Sequence, residues 1–494
     1  MSDPRAMLPG MPPIARRPLA LVGAATSVLL VLFSARYGYH RDELYFLVAG
    51  GHPAFGYVDQ PPLVPLLAHA VDAVSGGSIV ALRAVAAVVA GALVFVGGLI
   101  ARELGGDRDA QVLAAVCVAI SGTTLAPGHL MTTTIVDLLV WSVLLWLLLR
   151  CVGVRRTPTR EWLLVGLVAG IGLEVKTLVA ALLAACLVGL VLVGPRDVLR
   201  SWRVLGAAAI ALVLWAPNLV WQATNDWPQL ELSRAIAAGG SATSSSPAEF
   251  VLLQLVQVSP VLVLVWGPGL WRLWRDPDVR RARFVVVAYV VLFVGFLLTG
   301  GKAYYLAGLY PTLLAAGAVP VVAFVRRGSG RVLGLAVALG VSLLVTAVIT
   351  LPVLPPTTLA DTPVPDLNSD SVETVGWSAL AGTVAAVVSE QPPGTVVLTA
   401  NYGEAGALAR YRPEVDVYSG HNAFWAWGPP PADASTVVAV GIPPAELRRW
   451  FASTTLVDRI DTGVDDEEQG APVVVGAVPR QDWSALWPLV RRIG

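Results

Sequence analysis

Charge is scarce in this sequence: only 14% of its 494 residues are Asp, Glu, Lys or Arg, against roughly 25% in ordinary soluble domains. With 55% hydrophobic residues and a mean hydropathy of +0.69, this excludes an ordinary soluble protein and points to a membrane class. Neither sign of charge dominates: 34 basic residues balance 34 acidic ones, which leaves no net attraction to nucleic acid. Lysine is almost missing. Only Lys176 and Lys302 interrupt an otherwise all-arginine set of basic residues. The three cysteines, Cys117, Cys151 and Cys186, sit in or beside apolar runs, and the last third of the chain has none, which excludes a disulfide framework there. There is no Walker-type phosphate loop, no dinucleotide fingerprint and no nucleophilic triad signature.

What the chain has in quantity is long apolar runs. A helical span needs roughly 20 apolar residues. That ruler places about eleven spans, near 18–36, 79–101, 110–126, 131–150, 161–176, 178–194, 204–222, 250–272, 283–300, 303–324 and 331–352. Arg5, Arg16 and Arg17 before the first run could belong to a signal peptide or twin-arginine signal, but with so many further runs an uncleaved anchor is the plainer reading. The loops 102–109, 150–160, 195–203, 272–283 and 326–331 are Arg-rich, and the alternate loops are not. The positive-inside rule then puts the N-terminus in the cytoplasm and the C-terminal segment outside. The expected class is a polytopic α-helical protein of the cell membrane. Its membrane part spans 1–354, with a first outer loop at about 37–78. A small extracytoplasmic α/β domain spans 355–494, where helical patterns (377–388, 403–410, 445–451) alternate with strand-like runs (395–398, 436–440, 472–475). The Pro-rich stretch 352–365 is the linker.

The first outer loop concentrates polar chemistry. It reads Tyr39-His40-Arg41-Asp42-Glu43-Leu44-Tyr45-Phe46, then Gly56-Tyr57-Val58-Asp59-Gln60-Pro61-Pro62-Leu63. The stretch 42–49 predicts a short helix closed by Gly50-Gly51, and Pro61-Pro62 predicts the start of a second. Asp42 and Glu43 stand where a helix dipole favours negative charge. The same positions suit Asp42 and Asp59 as plain helix caps.

These motifs resemble the first loop of the glycosyltransferase family 39 group, GT-C-fold enzymes that include protein O-mannosyltransferases and lipid A aminoarabinose transferases. The resemblance rests on Asp42-Glu43 and on Asp59-Gln60-Pro61-Pro62-Leu63. It continues through Pro217-Asn218, Trp221-Gln222, Trp227-Pro228, Gly301-Lys302-Ala303-Tyr304-Tyr305, Tyr310-Pro311, Tyr402 to Leu408 and Ser419-Gly420-His421-Asn422. One departure stands out: Gln60 occupies a position where the aminoarabinose transferase has Lys, so another group must neutralise a phosphate.

The resemblance implies an inverting membrane glycosyltransferase that moves a sugar from a polyprenyl-phosphate donor to an extracytoplasmic glycan, lipid or protein. The lack of a nucleotide site fits a lipid-linked donor. Such a transfer needs a base for the acceptor hydroxyl and donors for the leaving phosphate. Asp42 is the expected base, Glu43 orients substrate or loop, and Asp59 binds acceptor, positions Asp42 or holds a cation. Lys302 and Lys176, with Tyr304, Tyr305 and Gln60, are the expected phosphate contacts. Both lysines equally suit snorkelling, and both tyrosines an interfacial belt. Asp137, His129, His40 and Arg41 are further cavity candidates, because ionisable groups within or at the edge of apolar spans are costly. Glu404, His421 and Trp425 are acceptor candidates in the C-terminal domain, where the alternative is a purely structural cap. A group of His40, His129 and carboxylates has the donor types for a divalent cation, although no spacing is diagnostic of a metal. Two other classes share the apolar pattern: a lipid or solute transporter or flippase, and an outer-face glycan ligase or polymerase. Against a transporter stand the charged first loop and the outer α/β domain. A third alternative is an inactive member that only binds lipid or a partner; the intact Asp42 speaks against it.

Overall fold

The structure, a computed structural model, describes residues 11–153, 159–239 and 246–494. Arg5 and parts of the loops 150–160 and 223–249 lie outside the described residues. The chain divides into two compact units. The first comprises Met1–Leu32, Arg83–Trp221 and Ala242–Ala347, and the second Phe33–Leu82, Gln222–Ser241 and Val348–Gly494. The first outer loop therefore falls in the same unit as the C-terminal segment.

Each of the eleven apolar runs is helical, but not each is one full-length span. Among the described residues, seven helices are long and apolar enough to cross a membrane, or up to nine if each of two bent pairs counts as one span. The run 110–126 is the pair Arg108–Ala119 and Gly122–Gly128, bent by 53°, and the run 250–272 is Pro247–Val256 with Pro260–Arg275, bent by 80°. The runs 161–176 and 178–194 are the 15-residue helices Thr159–Leu173 and Leu178–Leu192. Hydropathy counts apolar residues and cannot see a break, which is why the eleven runs read alike.

The two breaks meet. Gly122 N–H donates to Val258 O at 3.0 Å, so one broken helix satisfies a backbone group of the other. Elsewhere the unit packs through small residues. A Cβ on Gly317 would lie 1.8 Å from Val265 O, so only glycine lets the helix Tyr310–Val325 approach the helix Val263–Arg275 this closely. Buried amides add polar ties: Gln254 Nε2 donates to Ala303 O at 3.1 Å, and Tyr310 Oη donates to Gln254 Oε1 at 2.8 Å.

The second unit contains a five-stranded sheet of order β2-β1-β3-β5-β4. Its strands are β1 Val396–Thr399, β2 Val417–Ser419, β3 Thr436–Val440, β4 Phe451–Arg459 and β5 Pro472–Pro479. β1 pairs in parallel with β2 and β3, while β5 runs antiparallel to β3 and β4. Val396, Leu398, Val437, Ala439 and Val474 form its core with Trp450, Phe451, Trp483 and Trp487. The helices Trp377–Ser389, Tyr402–Tyr411 and Pro444–Trp450 stand where the sequence pattern put helices. β2 and β4 gave no pattern: β2 has three residues, and β4 is an exposed edge strand with almost no buried face.

In the first loop the predicted short helix is Arg41–Gly51, followed by Leu63–Ser75 after Pro61-Pro62. Gly50 does not end the first of these. It lies inside the helix, where a Cβ would come 2.3 Å from Pro65 O, so this glycine permits close packing of the two helices.

Candidate active site

The expected catalytic residues sit on the second unit, at the start of the helix Arg41–Gly51. His40 is its N-cap: Nδ1 accepts from Asp42 N–H at 3.2 Å. Glu43 is fully buried and accepts from His40 N–H at 2.8 Å. Glu43 thus closes a capping box and fixes the direction in which Asp42 leaves the first turn. Of its two expected roles, this geometry serves the orientation of the loop.

Asp42 is partly buried, and its Oδ1 accepts from Tyr402 Oη at 2.9 Å. Asp59 accepts from Tyr45 Oη at 2.7 Å. The rings of Tyr45 and Tyr402 pack against each other with centroids 4.8 Å apart. Two carboxylates are therefore each held by a phenol, and the phenols hold one another. Burial pushes the Asp59 carboxyl up to about 7; the Tyr45 hydrogen bond works against this, and the charge of Asp42 adds to it. Gln60 is buried beside Asp59 in sequence, and its Nε2 has no hydrogen-bond partner among the described residues, leaving a donor available to a ligand.

Arg41 is a clamp. Its guanidinium donates to Glu467 and, at 3.5 Å, to Glu373, and it lies 4.9 Å over the Tyr402 ring. His40 Nε2 lies 3.3 Å from Glu373 Oε2 and 3.9 Å from Asp370 Oδ1. Burial opposes a charge on His40, but Glu373, Asp42 and Asp370 outweigh it and push its pKa up to about 9. Burial likewise opposes the charge on Glu373, yet His40 and Arg41 hold that carboxyl below the usual range.

His40, Asp370 and Glu373 also offer three ligand atoms within 4.8 Å of one another. In the neutral ring Nδ1 accepts from Asp42 N–H and the proton sits on Nε2, facing Glu373. Charging the ring, or placing a metal on Nε2, puts a hydrogen on Nδ1, so either one trades the helix cap for contacts with Glu373 and Asp370. His129 lies in the first unit, buried, with Nδ1 3.2 Å from Leu125 O, and is not part of this group.

The acceptor candidates lie in the second unit too. Glu404 Oε2 accepts from Ala400 N–H at 2.8 Å and Asn401 N–H at 3.1 Å, capping the helix Tyr402–Tyr411. Burial, then the neighbouring charge of Glu468, pushes its pKa up to about 8. His421 accepts from Tyr402 N–H at 3.3 Å through Nδ1 and meets Gly494 O at 2.8 Å through Nε2. Burial pushes its pKa down to about 4, so it is neutral and braces the backbone that carries Tyr402. Trp425 Nε1 donates to Trp487 O at 3.0 Å, and Arg491 stacks 4.9 Å over its ring.

The expected phosphate contacts other than Gln60 belong to the first unit. Lys176 Nζ lies 4.9 Å over the Tyr304 ring and 5.6 Å over the Tyr305 ring. Asp137 is buried on the helix Thr133–Gly153, within interaction range of Lys176 and Trp141, and its Oδ1 has no hydrogen-bond partner among the described residues. Lys302 is partly buried and precedes the short 3-10 helix Ala303–Leu309 as its N-cap residue. Tyr45, Tyr402, Glu373 and Glu467 did not emerge as site residues from the sequence. Tyr45 had a signal, standing three residues after Asp42 on one helix face. Tyr402, Glu373 and Glu467 are too far along the chain for any spacing rule.

Residues 59–221 match the family model described as dolichyl-phosphate-mannose-protein mannosyltransferase. That match begins at Asp59, so Asp42 lies before it. No curated sequence matches the chain significantly. Among solved structures the chain is similar to ArnT from Cupriavidus metallidurans bound to undecaprenyl phosphate, at 16% identity and TM-score 0.61, covering 92% of this chain and 97% of that one. It is equally similar to apo ArnT from the same organism, at 15% identity and TM-score 0.62, covering 93% and 98%. The arabinofuranosyltransferase AftD from Mycobacteria matches at 15% identity and TM-score 0.51, over 94% of this chain but 40% of the larger one. The family match over residues 59–221 and the fold shared with these structures agree with the resemblance read from the sequence motifs.

Proposed function

We propose that this chain is an inverting membrane glycosyltransferase that moves a sugar from a polyprenyl-phosphate donor to an acceptor on the outer face of the cytoplasmic membrane. The observation that carries the reading is the pair of tyrosine-held carboxylates, Asp42 with Tyr402 and Asp59 with Tyr45. The family match favours transfer over transport.

In the reaction the bond from the sugar C1 to the phosphate oxygen breaks and a bond from C1 to the acceptor oxygen forms. Asp42 takes the acceptor's proton on the face opposite the leaving group, as inversion requires. The electron pair leaves with the polyprenyl phosphate. Lys302, Lys176, Tyr304, Tyr305 and Gln60 are the donors proposed to meet that charge. Asp59 supports the acceptor side. Glu404, His421 and Trp425 shape the domain that presents Tyr402, and the acceptor itself is an extracytoplasmic glycan, lipid or protein.

The test is transfer of a radiolabelled sugar from a synthetic polyprenyl-phosphate sugar, with donor binding assayed separately. Asp42→Asn keeps the shape of the side chain but cannot take the proton, so transfer should fall by about 10²–10⁴-fold while donor still binds. A folded Asp42→Asn protein working at the wild-type rate overturns the assignment. The orientation is tested alongside. Tags in the 195–203 or 326–331 loops should label only from the cytoplasm, and tags near Asp366 only from outside.

A further inference from the structure

One cavity among the described residues is not in either group above. It measures about 830 Å³ and lies wholly within the first unit. It opens among the last turns of the helices Ile79–Glu103, Val263–Arg275 and Tyr310–Val325. These are the Arg-rich ends, where Arg102, Arg272 and Arg275 line the cavity together with Glu103, Asp276 and Asp278.

Two of these arginines are committed to the fold. Arg102 Nε donates to Pro12 O at 2.8 Å and Nη1 to Glu103 at 3.1 Å. Arg272 Nη2 donates to Leu104 O at 2.8 Å and Nε to Asp276 at 3.1 Å. Its Nη1 reaches Ala316 O at 3.3 Å, the carbonyl that Pro320, lacking an N–H, cannot satisfy. Arg275 differs. It is exposed, stacks 4.9 Å over the Trp271 ring, and among the described residues has no carboxylate within ion-pair distance. Stacking leaves its N–H donors unused. Trp271 is itself 64% exposed, and Pro268, Val319, Pro320 and Ala323 make an apolar wall beside it.

An apolar wall under an uncommitted guanidinium, at the end of membrane-crossing helices, matches a lipid with a phosphate headgroup. We propose that this cavity binds an anionic phospholipid of the surrounding leaflet, its phosphate on Arg275 and the start of its acyl chain along Val319 and Ala323. The inference rests on the chain crossing a membrane and not on the transfer reaction.

The experiment is native mass spectrometry of the full-length protein in detergent supplemented with dioleoyl phosphatidylglycerol or dioleoyl phosphatidylcholine. Wild type should retain phosphatidylglycerol in preference. Arg275→Ala should lower that retention about fivefold, the effect of one basic contact. Ala323→Trp, which fills the apolar wall and keeps Arg275, should lower it too. Arg331→Ala removes a nearby arginine that lines no part of the cavity and should leave retention unchanged. Retention in Arg275→Ala and Ala323→Trp equal to wild type overturns the proposal. So does equal retention of both lipids, or displacement of phosphatidylglycerol by equimolar inorganic phosphate, which would make the site one for free phosphate.

Discussion

Tyr402 Oη donates a hydrogen bond of 2.9 Å to Asp42 Oδ1, across 360 residues of sequence. The first residue of the helix Tyr402–Tyr411 thereby holds the carboxylate proposed as the base. Removing only the hydroxyl, with Tyr402→Phe, keeps the ring that packs on Tyr45 and lies under Arg41. A hydrogen bond to a charged group is worth about 1.5–3 kcal/mol, so transfer should fall roughly ten- to hundredfold. The check is a double-mutant cycle. Tyr402→Phe should add nothing further in the Asp42→Asn background, because its effect runs through Asp42. Additive losses would instead mean a separate role for the phenol.

The second prediction concerns pH. Among the groups of the second unit that titrate above their usual values are Asp59 at about 7, Glu468 at about 7, Glu404 at about 8 and His40 at about 9. Burial is the main cause for the three carboxyls; for His40 burial acts in the opposite direction and the neighbouring carboxylates prevail. A folded-state value above the unfolded one means that the folded state holds the proton more tightly. The resulting stability is present at low pH and is lost as pH rises through the folded value. All four groups share this sign; His421, pushed down to about 4, has the opposite sign and opposes them only below its ordinary value of about 6.5, so the thermal midpoint in detergent should decline most clearly from pH 6.5 to pH 9. The His40 share falls between 6.5 and about 9, up to about 3 kcal/mol. His40→Asn retains a capping oxygen and removes the charge. It should flatten the decline above pH 6.5 and leave the carboxyl-driven part below it.

How much of this was legible beforehand differs by residue. Asp42, Asp59 and the two loop helices could be read because they lie within one short stretch, with Pro61-Pro62 marking the second helix. The apolar runs were legible as helices, yet the breaks near Ser121 and Ser259 were not. Each break is satisfied by the other, through Gly122 and Val258, and no local signal reports a tertiary partner. Arg41 read as a cavity residue. Its carboxylate partners Glu373 and Glu467 lie more than 300 residues away, so nothing nearby showed that it was already paired.

That pairing gives the third prediction. Arg41 is 7% exposed and is the shared partner of Glu373 and Glu467. Arg41→Ala takes a buried cation from Glu373, 14% exposed, and from Glu467, 49% exposed, and so costs less than the roughly 3–5 kcal/mol of breaking a fully buried pair. The thermal midpoint should drop, and transfer should fall with it. Arg41→Lys should recover little, since an ammonium cannot reach two carboxylates and stack on Tyr402 in the same geometry. If Arg41→Ala folded with a wild-type midpoint and lost only donor binding, Arg41 would be a substrate contact and not a clamp.

The last prediction separates the two lysines. Lys176 lies over the rings of Tyr304 and Tyr305 and within Coulomb range of Asp137, so part of its charge is already engaged by the protein. Lys302 immediately precedes those tyrosines as the N-cap residue of their short helix. If Lys302 meets the donor phosphate, Lys302→Ala should weaken donor binding and slow transfer together, because the same charge holds the phosphate before and after bond cleavage. Lys302→Arg should restore part of the binding, as charge survives while geometry changes. Lys176→Ala should act more through its neighbours. It strips Asp137 of its cation, so the paired variant Lys176→Ala with Asp137→Asn should recover stability that the single change loses. The measurements are binding of polyprenyl phosphate by equilibrium titration and thermal midpoints of all four variants. Unchanged lipid affinity in Lys302→Ala would remove it from the phosphate site and leave Lys176 and Gln60 as the donors to test next.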